Sequence, residues 1–140
     1  MQKIYSKVKS NTLLHLVHRL SEIEGRTNVA PENQFIQLAT LKMEKGTTFK
    51  PHKHIWKGGE EKVIAQESWV VIKGSVKVIM YDLDDTIVET PILYPGDCSM
   101  TFQGGHNYEI LEEDTIVYEY KTGPYKGQEN DKTFIGDDTK

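Results

Sequence analysis

From residue 35 onward the chain alternates short runs of β-branched, aromatic and aliphatic residues with Gly, Pro, Asp and Asn. Such punctuated runs are typical of β-strands joined by tight turns. No segment between residues 34 and 121 has the length and period of a crossover helix, which argues against a parallel βαβ sheet. The pattern predicts an all-β fold, a small antiparallel β-barrel or a sandwich, with a turn at Asp84-Asp85 and eight strands at 35–43, 48–54, 67–72, 76–82, 87–92, 99–102, 108–111 and 115–121.

The pattern near the amino terminus is ambiguous. Leu13, Leu16, Val17 and Leu20 have the spacing of one helix face. The leucines of the same segment also fit the alternation of a strand, and we favour a short helix slightly over a strand.

A length of 140 residues is enough for one domain, in which we distinguish an N-terminal lead (1–33), a β-barrel (34–122) and a polar C-terminal tail (123–140). The net charge of -4 and the lack of a basic run argue against a nucleic-acid partner. No stretch is apolar enough for a membrane span or a signal peptide. The lone Cys98 opens a predicted strand and is expected to be a small buried hydrophobe. We therefore expect a cytoplasmic protein.

Five histidines are the uncommon feature of the composition, and their spacing divides them. His52 and His54 lie two apart on a predicted strand, so their side chains point to the same face. Glu67 opens the next strongly apolar strand, and His106 follows a Gly-Gly turn. Three imidazole nitrogens and one carboxylate can therefore converge on one divalent metal ion. The remaining two lack such support and are most simply exposed or interfacial: His15 and His18.

These motifs resemble those of the cupin superfamily. The first cupin motif is a glycine, five residues, His-x-His, a spacer, a glutamate, six further residues and another glycine, and the matching residues are Gly46, His52, His54, Glu67 and Gly74. The second motif is matched in part by Gly96, Gly104 and His106. The similarity spans residues 35–121 and implies a cupin-like jelly roll. The chain is similar to the small single-domain cupin metalloproteins linked to bacterial surface-polysaccharide synthesis.

The resemblance implies one divalent metal ion held by His52, His54, Glu67 and His106. This mixture of nitrogen and oxygen donors does not choose among Fe, Mn, Ni, Zn and Cu. The expected function is to bind or convert a small polar molecule, a sugar or a carboxylate. If there is turnover, a metal-dependent isomerase or oxygenase is the expected type.

Several other residues are candidates for ligand binding. Lys50 lies two residues before His52, on the same strand face, and can contact an anionic group. Three aromatic residues can line a pocket, although ordinary core and strand-face packing is the simpler interpretation of Trp69, Tyr118 and Tyr120. The twelve residues between His54 and Glu67 predict an extra loop, whose Glu60 or Glu61 is the alternative carboxylate ligand.

Two other functions stay open. Cupin-like nucleotide-sugar ketoisomerases and epimerases also carry a His-x-His pair, used for proton transfer without metal, before a strand that ends in Gly-Ser, as Gly74-Ser75 does here. At the position of Glu67 they look more like a glutamine, so the carboxylate of this chain favours a metal. The third possibility is a ligand-binding or regulatory module without turnover. A small barrel with an extra N-terminal segment also suggests a homodimer.

Overall fold

The structure is a computed structural model that describes residues 1–57 and 63–136. Within these ranges the chain forms β-strands and two three-residue 3-10 helices, Leu20–Glu22 and Gln128–Asn130, but no α-helix. The strands are β1 (Gln2–Tyr5), β2 (Leu13–Val17), β3 (Thr27–Asn28), β4 (Ile36–Met43), β5 (His52–His54), β6 (Trp56–Lys57), β7 (Val63–Ile64), β8 (Glu67–Lys73), β9 (Val76–Tyr81), β10 (Ile87–Glu89), β11 (Ile92–Leu93), β12 (Cys98–Thr101), β13 (Gly105–Ile110), β14 (Thr115–Thr122) and β15 (Lys132–Phe134).

Two antiparallel sheets form the body of the fold. One has the strand order β10-β9-β13-β5-β15, with β11 also paired to β9, and the other has the order β12-β8-β14-β4-β3. Neighbouring strands that are distant in the chain, such as β13 and β5, show that the sheets are not simple meanders. The all-β antiparallel prediction is confirmed.

The core lies between the two sheets. Strands β8 and β9 alternate buried with half-buried residues, the pattern of strands that face a core on one side. Trp69 and Tyr108 stack face to face at the centre, with ring centroids 3.8 Å apart and planes within 5°. Aliphatic side chains surround this pair: Ala39, Leu41, Val71, Val76, Val78, Ile110 and Val117.

The predicted N-terminal helix is wrong, and the strand alternative is found. Residues of β2 pair with β1 in an antiparallel hairpin that stands apart from the two main sheets. The helical spacing was shared with a strand pattern, and a lone helix of this length is marginal in water. The partner strand β1, whose pattern is weak, decides the conformation.

The predicted strands of the body are found with shifted bounds. The segment 48–54 keeps only β5 as a strand, with a single bridge from Thr48 to Glu109. The segment 87–92 splits into β10 and β11 around Pro91, which has no backbone N–H to donate to a ladder. The Asp84-Asp85 turn is present, with Asp85 at a φ of 68°.

Both flanking segments add strands to the main sheets. Strand β3, from the N-terminal lead, pairs with β4, and β15, from the C-terminal tail, pairs with β5. The described part of the predicted extra loop forms the hairpin of β6 and β7. Within the described ranges, no helix is long and apolar enough to cross a bilayer.

Candidate metal centre

Four side chains from three adjacent or facing strands meet inside the barrel. His52 and His54 leave β5 on the same face, and His106 on β13 lies directly across from His52 in the ladder. Glu67 comes from β8 in the opposite sheet. One nitrogen or carboxylate oxygen of each residue lies within 4.8 Å of those of the others, and all four residues are buried. The spacing-based prediction that these four side chains converge agrees with this geometry.

Backbone geometry at a turn helps to place His106. Gly104 has a φ of 79°, and a Cβ there would collide with the carbonyl oxygen of Tyr81. A side chain at this position is therefore disfavoured both by conformation and by space. The turn brings β13 against β9 and β5 at once, which sets the position of His106.

Each imidazole is oriented through its Nδ1 atom. His52 Nδ1 lies 3.1 Å from the Lys50 carbonyl oxygen, and His54 Nδ1 lies 3.2 Å from the Asp131 carbonyl oxygen. His106 Nδ1 lies 3.0 Å from Thr101 Oγ1. When Nδ1 donates to these oxygens, Nε2 carries the free lone pair, which is the usual arrangement of a metal-bound histidine.

Glu67 is held between two of the histidines. Its Oε1 lies 3.3 Å from His106 Nε2 and accepts a hydrogen bond from Trp69 Nε1 at 3.1 Å, while Oε2 lies 3.3 Å from His54 Nε2. Burial raises the pKa of Glu67, but the hydrogen bonds from His106 and His54 outweigh burial and hold it well below its usual range. The carboxylate is therefore ionised and ready to act as a ligand.

The histidines of β5 have opposite electrostatic environments. Burial, together with the charges of His106 and Lys132, lowers the pKa of His52 to about 3. Burial also acts to lower the pKa of His54, but hydrogen bonds to Asp131 and Glu67 raise it to about 9. Without a metal, His52 is thus neutral at pH 7, whereas His54 carries a proton.

The donor set fits a divalent metal ion. The Nε2 atoms of His54 and His106 are buried, and each faces an oxygen of the Glu67 carboxylate at 3.3 Å. Wherever such a nitrogen carries a lone pair, it meets a negative carboxylate, and a cation between the two groups removes that repulsion. Three imidazoles and one carboxylate are ligands that suit first-row divalent ions.

A cavity of about 370 Å³ opens onto this cluster from one side. His52 and Glu67 line it, together with the aromatic residues Phe49, Trp69 and Tyr108. Charged groups of both signs also line it, among them Arg26, Glu119, Lys121 and Lys132. The cluster is thus enclosed on its barrel side and accessible from the cavity.

Two of the four candidate ligand-binding residues line the cavity, and the other two lie on the opposite face of their sheet. Lys50 and Trp69 line the cavity. Tyr118 and Tyr120 do not, because Glu119 is the residue of β14 paired with Trp69 and shares its inward face. Their aromatic rings therefore belong to the other face of that sheet, and Tyr120 is 40% exposed.

Two residues of the C-terminal tail were missed by the sequence analysis. Asp131 is almost fully buried, and its Oδ2 lies 3.4 Å from His54 Nδ1 and 2.9 Å from Lys121 Nζ. Lys132 Nζ lies 3.4 Å from His52 Nε2. A three-residue strand in a polar tail gives little signal, so only the pairing of β15 with β5 reveals them.

The other candidates lie away from the centre or outside the described ranges. His15 is exposed on β2, and His18 contacts Thr40 and Glu22. Glu60 and Glu61, the alternative carboxylates, fall in the segment 58–62, which lies outside the described residues. The expectation that Cys98 is buried is wrong: it is exposed on β12, which is the edge strand of its sheet.

Comparison with known proteins identifies the fold. Models of protein families give no match, and neither do the sequences of curated proteins. Among solved structures, KdgF from Halomonas sp. matches with a TM-score of 0.56 at 22% identity, over 72% of this chain and 80% of that one. Oxalate decarboxylase from Bacillus subtilis, in a variant form, matches with a TM-score of 0.58 at 18% identity, over 79% of this chain and 27% of that one.

A third similar structure is the capsular polysaccharide assembling protein CapF from Staphylococcus aureus, with a TM-score of 0.57 at 16% identity, over 71% of this chain and 28% of that one. This chain therefore spans most of KdgF but less than a third of the other two proteins. Identities this low establish the fold alone. The two facing antiparallel sheets and these neighbours show that the chain adopts the cupin fold.

Proposed function

We propose that the chain is a divalent-metal-binding cupin that binds or converts a small polar molecule, a sugar or a carboxylate. The observation that supports it most is the convergence of four buried donor groups, in which the Nε2 atoms of His54 and His106 face the Glu67 carboxylate at 3.3 Å. Three imidazoles and one carboxylate whose donor atoms lie this close together suit a first-row divalent ion.

The residues of this chain would hold the ion in a defined geometry. His52, His54 and His106 are each fixed through Nδ1, and Glu67 is fixed by the Trp69 indole. Outer contacts of this kind orient ligands and tune their basicity. A bound divalent ion would supply a Lewis acid, or lower the pKa of a bound water.

The position of the cavity supports a small-molecule ligand. His52 and Glu67 face it, whereas His54 and His106 are not among its lining residues. Ligands on one side of an ion and open space on the other are typical of sites that bind a substrate. A volume of about 370 Å³ lies in the range of small-molecule pockets. Among similar folds, oxalate decarboxylase is named for a carboxylate, and CapF for polysaccharide assembly.

The metal-independent ketoisomerase receives less support. Proton transfer to a substrate needs a histidine whose free nitrogen faces that substrate. His54 and His106 instead direct Nε2 to Glu67, and Lys132 Nζ is hydrogen-bonded to His52 Nε2.

The test is metal content and metal titration of the full chain. We expect about one equivalent of a divalent ion in protein purified without added metal, and its loss in His106→Ala. His15→Ala is the matched control, since His15 is exposed on β2, and it should keep the metal. If the wild type binds no divalent ion by elemental analysis or calorimetry, the proposal fails. Metal binding with no activity in screens of oxygen consumption and sugar turnover would favour the non-catalytic module.

A further inference from the structure

The charges that line the cavity are not equally paired. Arg26 forms a two-pronged ion pair with Glu119, with nitrogen–oxygen distances of 2.6 and 3.2 Å. Lys121 pairs with Asp131 at 2.9 Å. These two cations have carboxylate partners and need no further anion.

Lys132 is different. It is half-buried on β15, opposite His54 in the ladder, and its Nζ donates to the neutral His52 Nε2 at 3.4 Å. Among the described residues, no carboxylate forms an ion pair with it. The nearby carboxylates are already engaged: Glu67 by histidines, Glu119 by Arg26, and Asp131 by Lys121 and His54.

The one side-chain hydrogen bond that Lys132 makes within the described part of the chain competes with metal binding. If His52 Nε2 is a metal ligand, its lone pair is no longer available to the ammonium. A half-buried ammonium without an acceptor is unfavourable, because burial removes the water that would solvate it. Lys132 then needs an acceptor from the cavity, beside the metal ligands.

We infer that Lys132 selects ligands that carry a carboxylate, by pairing its ammonium with that group on the cavity side of the metal centre. This inference rests on the proposed function and specifies its ligand class. A carboxylate has two oxygens and can serve two adjacent positive groups, here the ion and the ammonium. Lys50, the residue singled out from the sequence for an anionic group, is exposed, and its Nζ lies 4.6 Å from the Phe134 ring centroid.

The experiment compares lactate with lactamide, a neutral analogue of nearly the same shape, on the metal-loaded full chain by calorimetry. Wild type should bind lactate at least about tenfold more tightly, the strength of a hydrogen bond between charged groups. Lys132→Met should weaken lactate about tenfold and lactamide less than about twofold. Lys132→Arg should restore part of the preference because the positive charge is kept.

Two further variants are controls. Lys53→Met removes a lysine of the adjacent strand β5 that pairs with Asp85 on the other face, and should leave the preference unchanged. Lys50→Met should have a smaller effect than Lys132→Met. Elemental analysis and thermal unfolding of every variant establish that metal and fold are retained; if Lys132→Met loses either, Lys132→Gln replaces it.

The outcomes separate the two proposals. A wild type without metal overturns the proposed function and this inference with it. A metal-loaded wild type that binds lactate no better than lactamide, or a Lys132→Met variant that keeps the preference, overturns this inference alone. Tighter binding of inorganic phosphate than of lactate would contradict the assignment of a carboxylate.

Discussion

The candidate metal ligands and two cations that line the cavity, Arg26 and Lys132, lie on segments of different kinds. His52, His54, Glu67 and His106 are on β5, β8 and β13, each of which has a neighbour on both sides. Lys132 is on β15, an edge strand, and Arg26 directly precedes β3, the edge strand of the opposite sheet. Interior strands are held by two ladders, so the ligand geometry is fixed by the barrel. Edge strands are held by one ladder, so we expect that Arg26 and Lys132 can be substituted while the metal centre stays intact.

The strongest test of this division removes a ligand charge without changing shape. Glu67→Gln keeps an oxygen that accepts from Trp69 but loses the carboxylate, so metal affinity should fall more than about a hundredfold, beyond the effect of an outer contact. Competition with a chelating dye measures this change. The matched variants Glu60→Gln and Glu61→Gln should stay within about twofold of wild type. A large loss in either of these, with Glu67→Gln unaffected, would move the carboxylate ligand to the 58–62 segment.

The second-largest expected change in metal affinity is its dependence on pH. The pKa of His54 in the fold, about 9, lies above its value of about 6.5 in an unfolded chain. Protonated His54 therefore stabilises the metal-free fold fully below pH 6.5, and this contribution is lost as pH rises through 9. A metal needs neutral imidazole, so affinity should rise about tenfold per pH unit over that window.

Two observations check this profile. Calorimetry at pH 7.5 in buffers of different ionisation enthalpy should show release of about one proton per metal bound. Asp131→Asn removes a carboxylate that raises the pKa of His54, so affinity should level off at a lower pH. Metal affinity that is the same at pH 6.5 and 8.5 would contradict a raised pKa of His54 as a metal ligand.

Much of the metal centre could be predicted, because the spacing of its residues along single strands determines which side chains share a face. A strand of known parity places His52 and His54 together, and Glu67 begins a run whose alternation is strong. On β14 the pattern did not reveal the inward residue, because aromatic side chains such as Tyr118 and Tyr120 normally take inward positions. Glu119 is instead the buried residue, and it forms an ion pair with Arg26, which is distant in the chain. Contacts of this kind, like those of Asp131, depend on pairing between distant segments and leave no local pattern.

A smaller effect is expected from the outer contact of His106. Thr101→Val keeps the shape but removes the oxygen 3.0 Å from His106 Nδ1, and metal affinity should fall about tenfold, the lower end for such contacts. The same titration reads the result. Thr133→Val makes the same change at an exposed position on β15 and should have no effect. Equal losses in both variants would mean that His106 is not oriented by Thr101.

The smallest expected effect on metal affinity comes from substitution of Arg26. Arg26→Met leaves the buried Glu119 carboxylate without its partner and should lower the free energy of unfolding by about 1–3 kcal/mol, while metal affinity stays within about twofold. Urea unfolding and metal titration measure the two quantities. Lys42→Met, which breaks a more exposed pair with Asp114, is the control and should change stability less. A loss of metal affinity in Arg26→Met would show that the metal centre depends on the Arg26–Glu119 pair.

The most direct measurement of the central claim is an anomalous difference map from crystals of the protein, recorded at the absorption edge of the metal found by elemental analysis. We expect one peak about 2.0–2.3 Å from a nitrogen of His52, His54 and His106 and from a carboxylate oxygen of Glu67. A map without a peak at this cluster, or with its only peak elsewhere on the chain, would contradict it.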